Sequence, residues 1–180
     1  MSLTCIILTY NESIHIKRAI DNVLTFCDRV IVVDSYSNDE TKFICLKENV
    51  DFYQNPFVTQ SQQFEWALNN CNLTSEWILR LDADEYFDDT LIHNIIENIK
   101  INLPEINGFV LNRKHIFMGK WVRFGGRYPL PMLRVFRNGT AHIEQKWMDE
   151  HIVLDIGETK VIKGDFFDDN LNSVSWFIDK

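Results

Sequence analysis

Four short apolar runs, each followed by a stretch with helical spacing, fill the first hundred residues and constrain the fold more than any other feature. Residues 4–9 (TCIILT) and 29–34 (RVIVVD) are apolar and β-branched, as strands buried on both faces are. Residues 76–82 (EWILRLD) repeat the pattern, and residues 51–54 (DFYQ) read as a shorter strand between them. Ile16, Ala19, Ile20, Val23, Leu24 and Cys27 recur at helical spacing behind a cap at Asn11 or Ser13. Asn38 or Asp39 is placed to cap a second helix that turns Phe43, Leu46 and Val50 inward. Phe64, Ala67, Leu68 and Cys71 mark a third helix, and Leu91, Ile95, Ile96 and Ile99 a fourth. Such alternation demands right-handed crossovers and an α/β fold, with a mostly parallel central sheet flanked by helices.

Beyond Pro104 the texture changes. Residues 108–118, 132–137, 141–145 and 151–155 read as strands joined by Gly and Pro turns, which makes the second half more antiparallel. Without a repeat or a low-complexity linker, the 180 residues read as one domain. Residues 172–180 read as a helix cut in mid-turn, which points to a longer protein. Cys5, Cys27, Cys45 and Cys71 form no C-x-x-C pair and sit in or beside apolar runs, as reduced, buried thiols of a cytoplasmic protein do. No apolar run reaches the roughly 18 residues of a membrane span, and no stretch reads as a secretory signal with a basic start and an apolar middle. The net charge of −8 argues against a nucleic-acid surface. It leaves room for a phosphate-bearing ligand, because a divalent cation can reverse the local field.

In open α/β sheets, ligands bind beyond the carboxyl ends of the parallel strands. Three strand ends here carry polar groups: Thr9, Tyr10, Asn11 and Glu12; Asp34 and Ser35; and Asp82, Asp84 and Glu85. Any one of them could be a turn or a helix cap; three at one edge are harder to explain that way. The Asp82-x-Asp84 pair is the sharpest feature. Mg²⁺ typically takes one or two carboxylates and completes its shell with water and phosphate oxygens. Asp84 could ligate such an ion while Asp82 accepts hydrogen bonds from ribose hydroxyls or holds a metal-bound water. Phosphate-cradling loops of the G-x-G-x-x-G or G-x-x-x-x-G-K-[ST] type are absent, which argues against dinucleotide oxidoreductases and P-loop enzymes. Downstream, Asp149 and Glu150 offer a carboxylate base and His151 a further metal ligand, unless they form a solvated acidic turn. Lys120, Arg123 and Arg127, interleaved with Trp121, Phe124 and a Gly pair, read either as a flap over an anionic ligand or as an ordinary hairpin. His15, His93, His115 and His142 show no metal-ligand spacing and read as structural or surface residues.

The blocks at 4–12, 32–41 and 77–85 resemble those of glycosyltransferase family 2. The later blocks at 117–129 and 133–137 are similar to its bacterial lipopolysaccharide-core and capsule glucosyltransferase branch. The resemblance implies a GT-A fold, with a nucleotide-binding half at 1–103 and an acceptor-side half at 104–180 that relatives extend further. It implies an inverting, metal-dependent hexosyltransferase using a nucleoside-diphosphate sugar, UDP-linked, with Mn²⁺ or Mg²⁺ as cofactor. The acceptor would be a saccharide or lipid-linked glycan, with peripheral contact at the inner face of the cytoplasmic membrane. Carried onto this chain, Thr9, Tyr10, Glu12 and Asp34 would line the base and ribose site. Asp82 would sit by ribose and diphosphate, and Asp84 would hold the metal. Glu150, or Asp149 beside it, would be the catalytic base. One departure is Glu65, at a position where the branch often has Asn. A sugar-phosphate nucleotidyltransferase would share the sheet and the acidic pair, but carries a Gly-rich basic loop where this chain has Thr9 to Glu12. A non-catalytic carbohydrate-binding module would not be expected to keep both the acidic pair and the downstream acid.

Overall fold

The computed structural model of the chain describes residues 2–146 and 150–178. Strand β1 (Leu3–Thr9) is buried along its whole length and lies inside the sheet, as its unbroken apolar run requires. It pairs in parallel with β2 (Arg29–Asp34) on one side and β4 (Trp77–Asp82) on the other. β3 (Asp51–Gln54) extends the sheet beyond β2, again in parallel. Thr9 stands opposite Asp34, and Leu8 opposite Asp82, so three strand ends reach one edge together. Successive side chains alternate faces. Cys5 and Ile7 therefore join one core with α1 (Ile16–Val23) and α4 (Asp89–Ile101), while Ile6 and Leu8 join a second with α3 (Gln60–Asn70).

Two local expectations need correction. Neither Asn11 nor Ser13 caps α1, whose N-cap residue is His15. Asn11 Oδ1 instead accepts from Asn38 N at 2.8 Å, and Ser13 N donates to Asp39 Oδ2 at 3.1 Å, which ties the loops after β1 and β2 together. The second helix, α2 (Thr41–Cys45), buries Thr41 and Cys45 and leaves Phe43 and Leu46 exposed. Five residues make little more than one turn and cannot carry an apolar stripe as far as Val50. All four cysteines are free and buried, and burial pushes the Cys45 thiol up to about 12 and the Cys71 thiol up to about 11, which leaves them inert.

The second half continues the same sheet through β6 (Ile106–Phe117), β8 (Pro131–Arg137) and β11 (Glu158–Asp169). β5 (Glu85–Phe87) ends the order β3-β2-β1-β4-β8-β6-β11-β5, and β7 (Lys120–Trp121) pairs with β6. β9 (Ala141–Ile143) and β10 (Ile152–Leu154) form a separate antiparallel pair, and α5 (Val174–Ile178) closes the described chain. β8 is antiparallel to both neighbours, so β6 points the same way as β4, and β11 lies parallel to β6. β5 begins three residues after β4 ends, yet lies four strand positions away. Four steps across a flat sheet would be about 19 Å. Three Cα–Cα steps cover at most about 11 Å. The sheet must therefore curl back on itself, and the seam it closes carries Ala83 and Asp84.

Gly164 allows β11 to pass close under α4. Its φ is +116°, and a Cβ there would lie 2.9 Å from Leu91 Cα. Gly164→Ala is expected to cost about 1–3 kcal/mol. The measurement is a thermal melt, and an unchanged midpoint would show that the helix can retreat freely.

Candidate active site

A cleft of about 380 Å³ opens where the ends of β1, β2 and β4 meet, lined among others by Thr9, Tyr10, Glu12, Gln60, Asp82 and Asp84. A mainly apolar hollow of about 550 Å³ adjoins it, walled by Tyr10, Ser35, Tyr36, Pro56 and Phe57. Thr9, Tyr10, Glu12, Ser35, Asp82 and Asp84, six of the residues singled out from sequence, thus share one cavity. Thr9 is buried, and among the described residues its Oγ1 has no hydrogen-bond partner. A buried hydroxyl without a partner is costly, so a ligand group is a natural partner for it. Glu12 is oriented from behind. The Nδ1 of buried His15 lies 2.5 Å from Glu12 Oε2, and its Nε2 accepts from Leu171 N at 2.7 Å. That acceptor role assigns the proton to Nδ1 and makes the imidazole the neutral donor to Glu12.

The other predicted residues are placed differently. Asp34 is 0% exposed and accepts from Ser37 N (3.0 Å), Ser37 Oγ and Gln54 Nε2 (2.9 Å), so its carboxylate holds the β2 turn rather than the open cleft. Glu150 Oε1 receives Arg80 Nη2 at 3.0 Å and faces a small hollow with Met132, Arg134 and His151. His151 is exposed, lies 3.3 Å from Glu144 Oε2, and does not line the cleft. Asp149 lies outside the described residues.

The profile of glycosyl transferase family 2 matches residues 4–169. The chain belongs to glycosyl transferase family 2. An uncharacterised glycosyltransferase of Rickettsia conorii is 37% identical over 83 residues, which is 46% of this chain and 29% of that protein. Among solved structures, TarS 1–349 of S. aureus superposes with a TM-score of 0.68 at 16% identity, covering 94% of this chain and 60% of that one. Glucosyl-3-phosphoglycerate synthase of Mycobacterium tuberculosis, solved with Mn²⁺, UDP and glucosyl-3-phosphoglycerate, reaches 0.52 at 14% identity over 64% of this chain and 44% of its own. The chain therefore spans under a third of that curated relative, and the structural likenesses establish the α/β GT-A fold with its curled, mixed sheet.

In this family 2 chain the charges at the cleft floor are balanced by residues that motif spacing does not reveal. Asp82 accepts from Gln60 Nε2 at 3.1 Å and has Arg80 Nη2 at 3.7 Å and Arg134 Nη2 at 3.6 Å. Burial opposes its charge, but the two guanidiniums and the amide hold its carboxyl below the ordinary carboxylate range. Asp84 is in the opposite situation. Burial, with the negative charges of Asp168, Asp82 and Glu12, pushes it up to about 6, and a hydrogen bond from Asn170 Nδ2 at 3.1 Å offsets part of that. Arg18 fastens the end of β11 beside it, donating to the carbonyls of Asp84 (3.0 Å) and Asp169 (2.6 Å) and to Asp169 Oδ2 (2.9 Å).

A carboxylate crowded by like charge suits a cation. Among the described residues no three His, Cys, Asp or Glu side chains form a ready-made metal site. A divalent ion that completes its shell with phosphate oxygens and water needs only Asp84 and a neighbour. The donor set therefore fits Mn²⁺ or Mg²⁺. Among the described residues no helix is long and apolar enough to cross a membrane.

Proposed function

We propose that this chain is the donor-binding catalytic domain of an inverting hexosyltransferase that takes a UDP-linked sugar and glycosylates a saccharide or lipid-linked acceptor in lipopolysaccharide or capsule assembly, at the cytoplasmic face of the membrane. The observation that carries the reading is the Asp82-x-Asp84 turn on the cleft floor, with one carboxylate held ionised by arginines and the other poised for a cation. The donors bound by structural neighbours support the nucleotide: TarS was solved with UDP and with UDP-GlcNAc.

Tyr10, Tyr36 and Phe57 offer apolar surface for a flat base, and Thr9 Oγ1 and Asp82 offer polar partners to ribose. Asp84 would hold the divalent ion, which when bound neutralises charge on the departing diphosphate. His15 and Arg18 keep Glu12 and the Asp84 turn in place. A carboxylate of the Asp149–Glu150 pair takes the proton of the acceptor hydroxyl. The new oxygen–carbon bond then forms at the anomeric carbon as its bond to the diphosphate oxygen breaks, with inversion.

Calorimetric titration with UDP, with and without Mn²⁺, tests the reading. Metal-dependent binding is expected, and its absence with every nucleoside diphosphate would end the proposal. Asp84→Ala should abolish the metal-dependent part. Because a metal ligand must be deprotonated, that affinity should fall as pH drops through about 6. The stability effect has the opposite sign. A raised carboxyl pKa favours the folded state while protonated, so this stabilisation is present below 3.8 and lost as pH rises to about 6. Asp84→Asn should therefore stabilise the metal-free chain above pH 6, by about 1–2 kcal/mol after discounting for partial exposure. At pH 3 it should change nothing.

A further inference from the structure

We propose that the β6–β7 hairpin and the loop after it form a docking surface for an anionic lipid bilayer. The inference deepens the localisation part of the proposed function and rests on it, but is independent of the transferase chemistry. Residues 106–143 contain no Asp or Glu and seven Lys or Arg, in a chain whose net charge is −8. Four of the seven are committed inside the fold: Arg113 to Asp168, Lys114 to Asp165, Arg134 to Glu85 and Arg137 to Glu76. The remaining three, Lys120, Arg123 and Arg127, pair with no carboxylate among the described residues. All three lie on this hairpin and its loop.

The same segment exposes large apolar side chains. Phe124 is 75% exposed, and Phe117, Met118 and Trp121 are each 40% exposed or more. Met118 and Gly119 both have positive φ, which makes a tight two-residue turn at the tip. Phe177 of α5 packs against Phe117 at 5.4 Å, and Ile178 beyond it is 77% exposed. A soluble surface does not normally gather this much aromatic area among unpaired cations. Aromatic rings set between Lys and Arg suit the boundary between headgroups and acyl chains. Because β6 runs in the same direction as β1 and β4, its hairpin stands at the cleft edge of the sheet. Docking there would turn the donor cleft towards a membrane-borne acceptor.

Sedimentation of the 180-residue chain with phosphatidylcholine vesicles, with and without one part in three phosphatidylglycerol and without donor or metal, tests this. Binding is expected only to the anionic vesicles and should be lost at high salt. Each unpaired cation is worth about five-fold in affinity, so Lys120→Gln/Arg123→Gln/Arg127→Gln should weaken binding roughly 100-fold. Phe124→Ser, which changes no charge, should weaken it several-fold. Far-UV circular dichroism and melting curves of both variants check that they fold. Equal binding to neutral vesicles, or undiminished binding by the triple variant, overturns the proposal. Equally tight binding to soluble dextran sulfate, indifferent to Phe124→Ser, would make the patch a polyanion site and overturn the lipid assignment. UDP titration of the same samples keeps the two readings apart, since metal-dependent UDP binding without vesicle binding sinks only the docking surface.

Discussion

Glu150→Gln is expected to lower kcat by about 10²–10⁴ while leaving metal-dependent UDP binding in place. The amide cannot take a proton from an acceptor hydroxyl, but its oxygen can still accept from Arg80, which Glu150 Oε1 meets at 3.0 Å. Arg80 therefore keeps a hydrogen bond and the neighbouring Asp82, and the cleft floor should hold its shape. The loss should fall on kcat rather than on donor affinity, which marks an interaction made only in the transition state. Asp149→Asn is the companion experiment. The Arg80 ion pair is what makes the comparison necessary, because a carboxylate bound to a guanidinium is also well placed simply to anchor its loop. Turnover retained in Glu150→Gln and lost in Asp149→Asn would move the base by one residue and leave Glu150 as a positioning group. Turnover retained in both would remove this segment from the chemistry.

The parts of this fold that were legible in sequence are those whose burial is complete and local. β1 and β2 are almost unbroken apolar runs because helices cover both their faces, and their limits could be read nearly to the residue. α2 misled because Phe43 and Leu46 have helical spacing but no third turn to carry them inward. β5 and β11 were hidden for different reasons. β5 has three residues, and β11 mixes charged residues with Gly164 and shifts register between Val161 and Asp165. The candidate site divides in the same way. Thr9, Tyr10, Glu12, Asp82 and Asp84 follow from strand-end logic and share the cleft. Asp34 reaches the right edge, but Ser37 and Gln54 occupy its carboxylate, and no motif encodes that. Asn170 and His15 act across 86 and 156 residues of sequence separation. Arg80 did leave a trace, since a guanidinium inside an apolar strand requires a buried partner.

That requirement leads to the other large effect, at Arg134. Its side chain is 3% exposed, with Nη2 at 2.6 Å from Glu85 Oε1 and 3.6 Å from Asp82 Oδ2, and its guanidinium lies 5.0 Å from the Phe166 ring centroid. Burial and the neighbouring Asp82 charge already push the Glu85 carboxyl up to about 8 against the pull of Arg134, so Arg134→Met would leave Glu85 buried without its cation and remove one of the two nearest cations of Asp82. Measured above pH 8, where Glu85 is largely ionised, breaking this buried pair from one side is expected to cost about 3–5 kcal/mol. At about 2–4 °C per kcal/mol for a chain of this size, the melting midpoint should fall by roughly 6–20 °C. Adding Glu85→Gln removes the stranded charge while keeping an acceptor for Asp82 N, now met by Glu85 Oε2 at 2.9 Å. The double variant should recover most of the lost stability. Donor affinity should not recover with it, because Asp82 would keep only Arg80 and the smaller pull of Arg113, and would be more easily protonated in its partly buried position. Thermal melts and UDP titrations on the same two variants separate these effects. If stability and UDP affinity return together, Arg134 serves only to neutralise Glu85. If stability returns without affinity, the arginine pair is what keeps Asp82 charged at the cleft floor.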